Sequence, residues 1–314
     1  MSLLKKGRKS FRALIRALAR VLKSFLRLIT GRGELERLLS KAIDRKRGNG
    51  WSPDLVKRIA RSLATSVQLA SVKGDLFGRR PFSCGTVSVL IGEQKGIRDE
   101  AILGALRWCL QVFSTVNAVH ENIGELQRQS YDPTNPAHVA LLESLWESLK
   151  PDTRRIDWEP VGFQNGSRPE SDFRGMGMLG LHQLVFFSQR RNREAKLILA
   201  ESTSPKRYFP FAAAGINITA FATTMLEQRR LDGRLYDAII KLMPAELPDS
   251  GLDEEMLVAA GVAAFNEIYG EEYVEFARFW HESLPESTMA FPGVFSTVKQ
   301  RSYSRFPPLM DEEE

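Results

Sequence analysis

Apolar residues recur at three- and four-residue spacing along most of the chain, a period that predicts helices rather than strands. Between residues 8 and 29, Phe11, Leu14, Ile15, Leu18, Val21, Leu22, Phe25 and Ile29 fall on one stripe. Arg12, Arg16, Arg20, Lys23 and Arg27 form a second stripe, so this stretch predicts a basic amphipathic helix. Thr30-Gly31-Arg32-Gly33 stops it, and 44–50 (DRKRGNG) reads as a linker. Ser52-Pro53 supplies an N-cap and a first-turn proline for a helix to about Ala70. The glycine-rich stretch 74–96 predicts a loop region with one short β-like run, Thr86 to Ile91.

A helix from about Asp99 to Gln129 carries Leu103, Leu106, Leu110, Phe113, Val116, Val119 and Ile123 on one face. Tyr131-Asp-Pro-Thr-Asn-Pro136 breaks it, and Asn135-Pro136 caps the next, with Val139, Leu142, Leu145, Trp146 and Leu149 facing the core. Further helices are expected near 178–189, 192–202, 208–230 and 253–283. The charge-free stretch Tyr208 to Leu226 reads as a buried core helix; Pro210, Gly215 and Asn217 argue against a transmembrane span. The fold class is all-α, without an internal repeat, and the last four residues, Asp-Glu-Glu-Glu, read as a frayed acidic tail.

Charge changes this picture at one end only. The net charge is +6, but residues 1–47 hold fifteen Lys or Arg against three Asp or Glu, and the rest of the chain is acidic. A nucleic-acid binder carries its basic patch on the folded body, so no nucleic-acid partner is expected. A long basic helix instead suits an anionic membrane surface; docking on the domain with a solvated Arg face is the plainer alternative, and an Arg-rich targeting peptide a third. Uninterrupted apolar residues of the kind a signal peptide needs are missing from this stretch. Cys84 and Cys109 are too few for a disulfide framework or a cysteine-rich zinc site, and are expected to be reduced.

Several motifs can be set aside. Gly175-Met-Gly177-Met-Leu-Gly180 spells G-x-G-x-x-G, but no strand precedes it, so it lacks the context of a dinucleotide loop. The phosphate-loop pattern G-x-x-x-x-G-K-[ST] does not occur. His120, His138, His182 and His281 form no metal-binding spacing, so neither metal nor cofactor is expected.

The segment Trp158 to Phe187 is different: WEPVGFQNGSRPESDFRGMGMLGLHQLVFF. Asp172 is placed to cap a helix running from about Gly177 through Phe187, and Phe163 and Phe173 are expected core anchors. Arg174 sits at the turn into that helix beside two glycines, which let a backbone or ligand approach closely. An arginine on such a turn presents a fixed cation with planar donors, suited to a phosphoryl group in transfer. The simpler reading is that Arg174 pairs with Asp172 or another acid inside the fold.

The segment resembles the signature of the ELMO-domain family, W-x3-G-F-Q-x3-P-x-[ST]-D-F-R-G-x-G followed by L-G-L. It is matched here by Trp158, Gly162, Phe163, Gln164, Pro169, Ser171, Asp172, Phe173, Arg174, Gly175, Gly177 and Leu179-Gly180-Leu181. The loop between Gln164 and Pro169 has four residues where the family usually has three. Tyr131 to Pro136, Leu145-Trp146, Gly215-Ile-Asn-Ile-Thr219 and Phe265, Tyr269, Phe276, Phe279 and Trp280 are also similar to the short members.

The resemblance implies a helical ELMO domain over 131–300, preceded by a helical part over 48–130 and the basic segment 1–47, and followed by a tail over 301–314. It implies a GTPase-activating protein for ARF and ARL-type small GTPases in their GTP form, with Arg174 as an arginine finger supplied in trans and no turnover of its own. It further implies a cytoplasmic protein, peripheral on intracellular membranes, in membrane trafficking or cytoskeletal control. A non-catalytic GTPase-binding or scaffolding module is the alternative, with Arg174 then an internal ion-pair partner.

Overall fold

The structure is a computed structural model and describes residues 32–45, 51–205, 207–248 and 251–309. The stripe Arg12, Arg16, Arg20, Lys23 and Arg27, most of the expected linker and the acidic tail lie outside the described residues. Within them every regular element is helical. In chain order these are α1 (Glu34–Arg45), α2 (Pro53–Ala64), α3 (Lys73–Leu76), α4 (Cys84–Lys95), α5 (Glu100–Arg128), α6 (Pro136–Leu149), α7 (Gly177–Arg190), α8 (Asn192–Ser202), α9 (Phe211–Glu227), α10 (Asp232–Ile240), α11 (Glu254–Ser283) and α12 (Phe291–Arg305).

Local chemistry sets the starts of these helices. The Ser52 hydroxyl accepts from Leu55 N–H, Asp99 from Ala101 and Ile102, Asn135 from Ala137, and Asp253 from Met256. Each satisfies first-turn donors that have no partner within the helix. The long α5 is the central strut: its face from Ile102 to Ile123 is buried, and α1, α4, α7, α10 and α11 all pack on it. Helix α9 is buried nearly all round, as its charge-free sequence requires, and lies against α7 and α11. One apolar core runs from Leu35 to Leu309.

Two expectations need correction. The glycine-rich stretch is not a loop with a β-like run: Cys84–Lys95 is helical, started by the Ser83 hydroxyl on Thr86 N–H and ended by Gly96 in the left-handed conformation. Val87 and Ile91 are buried against α5, so tertiary packing outweighs the weak helix propensity of Gly85, Thr86 and Gly92. Helix α2 stops at Ala64, and the chain continues through a short 3-10 turn at Val67–Leu69 rather than to Ala70.

Candidate functional site

Two 3-10 turns, Glu159–Val161 and Pro169–Gly175, carry the segment between α6 and α7. They hold few backbone hydrogen bonds of their own, so side chains must fix them. A row of rings does so. Trp146 of α6 meets Trp158 edge-on at 5.8 Å, Trp158 meets Phe163 at 5.6 Å, and Phe163 meets Phe173 at 5.7 Å. Tyr131, 6.1 Å from Phe173, and His138, 5.8 Å from Tyr131, continue the row. Trp158, Phe163, Pro169 and Phe173 are buried, as expected for anchors. Edge-to-face pairs of this kind contribute about 0.5–1.5 kcal/mol each beyond the area they bury. Arg155 closes the outer end: its guanidinium lies 4.8 Å from the Trp158 ring centre and pairs with Glu143.

Backbone contacts lock the same segment from two other sides. Gly162 has φ +83°, and a Cβ there would lie 2.8 Å from the Pro210 carbonyl carbon and closer still to Phe211 N. The turn therefore lies directly on the start of α9, and Ala213 N–H donates to the Gly162 carbonyl at 3.1 Å. Gly177 has φ +53°, and a Cβ there would sit 2.5 Å from Gln129 O and closer still to Gln127 O. Met178 N–H donates to Gln129 O at 2.8 Å, so the entry to α7 is seated on the end of α5. These two glycines are steric requirements of the fold.

Asp172 does not cap α7. Its Oδ2 accepts from Gln164 N–H at 2.7 Å, and the first turn of α7 has no side-chain cap. The intervening 3-10 turn carries Asp172 away from the helix axis and back over the preceding loop. That longer loop closes on itself: Asn165 Oδ1 accepts from Arg168 N–H at 3.1 Å and from the Ser167 hydroxyl at 3.0 Å. Trp158 N–H donates to Gly166 O at 2.8 Å, so the loop folds back onto the first 3-10 turn and returns the chain at buried Pro169.

Arg174 stands at the end of this scaffold. It is exposed, and its Nε donates to the Ser171 carbonyl at 2.8 Å. Among the described residues no carboxylate lies within ion-pair distance of it, so the internal pair with Asp172 does not form. Its two terminal nitrogens make no hydrogen bond among the described residues. Gly175 beside it is also exposed; its φ lies outside the left-handed region, and a Cβ there would meet nothing within 4 Å. Nothing among the described residues demands a glycine at that position. Gln164 is exposed on the same loop, with only its backbone held.

Two supporting roles escaped sequence reasoning. Ser171 supplies a backbone carbonyl, which no residue pattern reveals. His138 Nδ1 accepts from Asp132 N–H, 3.0 Å away, and its Nε2 lies 3.2 Å from the Gln129 side-chain amide nitrogen. It thus ties the 131–136 break to the end of α5. Among the described residues no group of His, Cys, Asp or Glu is arranged to hold a metal ion.

The model of the ELMO/CED-12 family matches residues 121–295. The chain is 33% identical over 292 residues to ELMO domain-containing protein B of Dictyostelium discoideum, covering 90% of this chain and 91% of that one. It is 29% identical over 279 residues to human ELMO domain-containing protein 2, covering 86% and 85%. Over 316 residues it is 28% identical to human ELMO domain-containing protein 1, covering 90% and 86%. No solved structure matches it.

Proposed function

The chain belongs to the ELMO/CED-12 family, and from that premise we propose that it activates GTP hydrolysis on ARF or ARL-type small GTPases by inserting Arg174 into the partner's active site. The observation that carries this reading is the state of Arg174: exposed and, among the described residues, free of carboxylate partners and held at Nε alone. A structural arginine would spend its terminal nitrogens inside the fold. The arrangement is that of a side chain aimed at something outside the molecule.

In this reading the GTPase supplies the nucleotide and its Mg²⁺, and this chain supplies charge. In-line attack of water on the γ-phosphorus breaks the bond to the β–γ bridging oxygen, where negative charge accumulates. The terminal nitrogens of Arg174 donate to that oxygen and to a γ-oxygen. The Ser171 carbonyl holds Nε, so part of the side-chain entropy of a long arginine is lost before the partner arrives. Gly175 leaves room for the partner's backbone beside the guanidinium. Arginine fingers supplied in trans raise hydrolysis by roughly 10³–10⁵-fold.

The aromatic row and the two glycines at positive φ would serve a non-catalytic GTPase-binding module equally well, because packing alone accounts for them. Arg174 separates the two readings. A finger binds the transition state better than the ground state. Complex formation with a GDP-loaded ARF or ARL-type GTPase should therefore be strengthened by aluminium fluoride, and Arg174→Ala should remove that strengthening. Equal gains with the variant would leave the scaffolding role.

The basic residues Arg12, Arg16, Arg20, Lys23 and Arg27 are proposed to bring this activity to anionic membranes, and so to a peripheral place on intracellular membranes, through the charge stripe read from sequence.

A further inference from the structure

A second cationic feature lies on elements that take no part in the Arg174 site. Helices α2 and α10 and the end of α12 meet around a cavity of about 300 Å³. Six cations line it: Lys57 and Arg61 from α2, Arg229, Arg230 and Arg234 around the start of α10, and Arg305 from α12. No carboxylate is among the lining residues. The acids that pair with these cations stand behind or beside them. Asp232 and Glu272, partners of Arg229 and Arg305, are fully buried; Glu271 pairs with Arg234 and exposed Asp54 with Lys57. Exposed Arg61 has no carboxylate partner among the described residues.

The backbone adds to this charge. Helix α10 begins at the cavity with no side-chain cap, and Gly233 lies in the lining with Lys57 packed on it, where a Cβ would come within 2.6 Å of Lys57 Cε. An uncapped helix start leaves N–H groups for an anion to use. Arg229 is buried and in the left-handed conformation, held by Asp232 at 3.1 Å and Asn117 at 2.6 Å. The base of the cavity is therefore a rigid cation.

We propose that this cavity binds a small ligand bearing two or more phosphate groups, as a free phosphorylated polyol or as a phosphorylated lipid headgroup. A cavity lined by six cations and no carboxylate suits several negative charges better than one, and the Arg61 fork, without a carboxylate partner among the described residues, can meet two phosphate oxygens.

The test is calorimetric titration of the full chain with inositol trisphosphate, repeated on a chain ending at Met310, because the acidic run Asp311 to Glu314 follows closely on the lining residue Leu309 in sequence. Saturable binding in either form, weakened about tenfold or more by Arg61→Glu and by Lys57→Gln, is the expected result. Arg58→Glu is the control: exposed on the same helix, it does not line the cavity, and its affinity should stay within about twofold. Co-sedimentation with vesicles carrying phosphatidylinositol bisphosphate identifies the source. Competition by soluble inositol trisphosphate shows a shared site, and binding in excess of that to phosphatidylserine vesicles of equal charge, lost in Arg61→Glu but not displaced, assigns the lipid headgroup. No saturable binding to either probe, or equal loss with Arg58→Glu, overturns the proposal.

Discussion

Gly177→Ala and Gly175→Ala, two residues apart in one motif, should move stability in opposite directions. At Gly177 the φ of +53° and the carbonyls of Gln127 and Gln129 both oppose a methyl group. The left-handed backbone costs an L-residue about 1–2 kcal/mol, and an extra carbon in filled space about 1–3 kcal/mol, so the loss should be about 2–5 kcal/mol. Backbone carbonyls at the end of α5 cannot swing aside like the tip of a side chain. At Gly175 the backbone lies outside the left-handed region and no atom lies within 4 Å. Alanine there should be neutral or stabilising by up to about 1 kcal/mol, through a stiffer unfolded chain. Urea unfolding followed by far-UV circular dichroism gives both values. Gly177→Ala within about 0.5 kcal/mol of the parent, or Gly175→Ala the worse of the two, would refute the packing account of the signature. If Gly175 serves the partner, Gly175→Ala should nonetheless weaken GTPase stimulation while the protein stays folded.

Other expectations follow from the same structure. Phe173→Ala removes a buried ring from the middle of the aromatic row and should cost about 3–5 kcal/mol in the same unfolding assay. Burial lowers the His120 pKa, partly opposed by Asp232, with Arg229 and Arg79 adding to the lowering. The unfolded chain then takes up the proton first as pH falls, so this contribution is present above about 6.5 and lost below it; His120→Gln should flatten the decline of stability in that window. Burial, reinforced by Glu254 against the Ser114 hydrogen bond, pushes the Cys84 thiol up to about 11. Its alkylation should be slow at neutral pH and rise only in strongly alkaline buffer, and a midpoint near that of a free thiol would contradict this. Deleting residues 1–32 should abolish salt-sensitive binding to anionic vesicles, and binding that survives would remove the membrane role of the basic stripe.

The parts of the fold that sequence made legible are those with strong local signals. Helix α5 shows a long apolar stripe and an Asp99 cap, and α6 starts at Asn135-Pro136; both appear where the pattern puts them. Helix α4 was hidden because its glycines and β-branched residues point the other way, and only burial of Val87 and Ile91 on α5 settles it. Helices α10 and α12 were illegible for a related reason. Helix α12 opens Phe-Pro-Gly, is rich in Ser, Lys and Arg, and buries only Phe295, Val298 and Ser302. In the candidate site, the burial of Trp158, Phe163 and Phe173 could be read from residue type. What Asp172 holds could not, because a carboxylate ahead of a helix is a cap by default. Here a 3-10 turn redirects it to Gln164. The openness of Arg174 was equally hidden, since whether an acid stands near it depends on three-dimensional approach.

The central claim is that Arg174 acts outside the fold. Because the residue is exposed and, among the described residues, bonded only to the Ser171 carbonyl, Arg174→Lys should leave stability within about 0.5 kcal/mol of the parent. The most direct measurement is single-turnover hydrolysis by GTP-loaded ARF and ARL-type GTPases, alone, with the parent protein and with Arg174→Lys. The account expects acceleration by the parent on at least one GTPase and loss of most of it in the folded variant, because lysine lacks the planar fork that reaches two oxygens at once. Equal acceleration by the two proteins, or binding without acceleration by either, would contradict it.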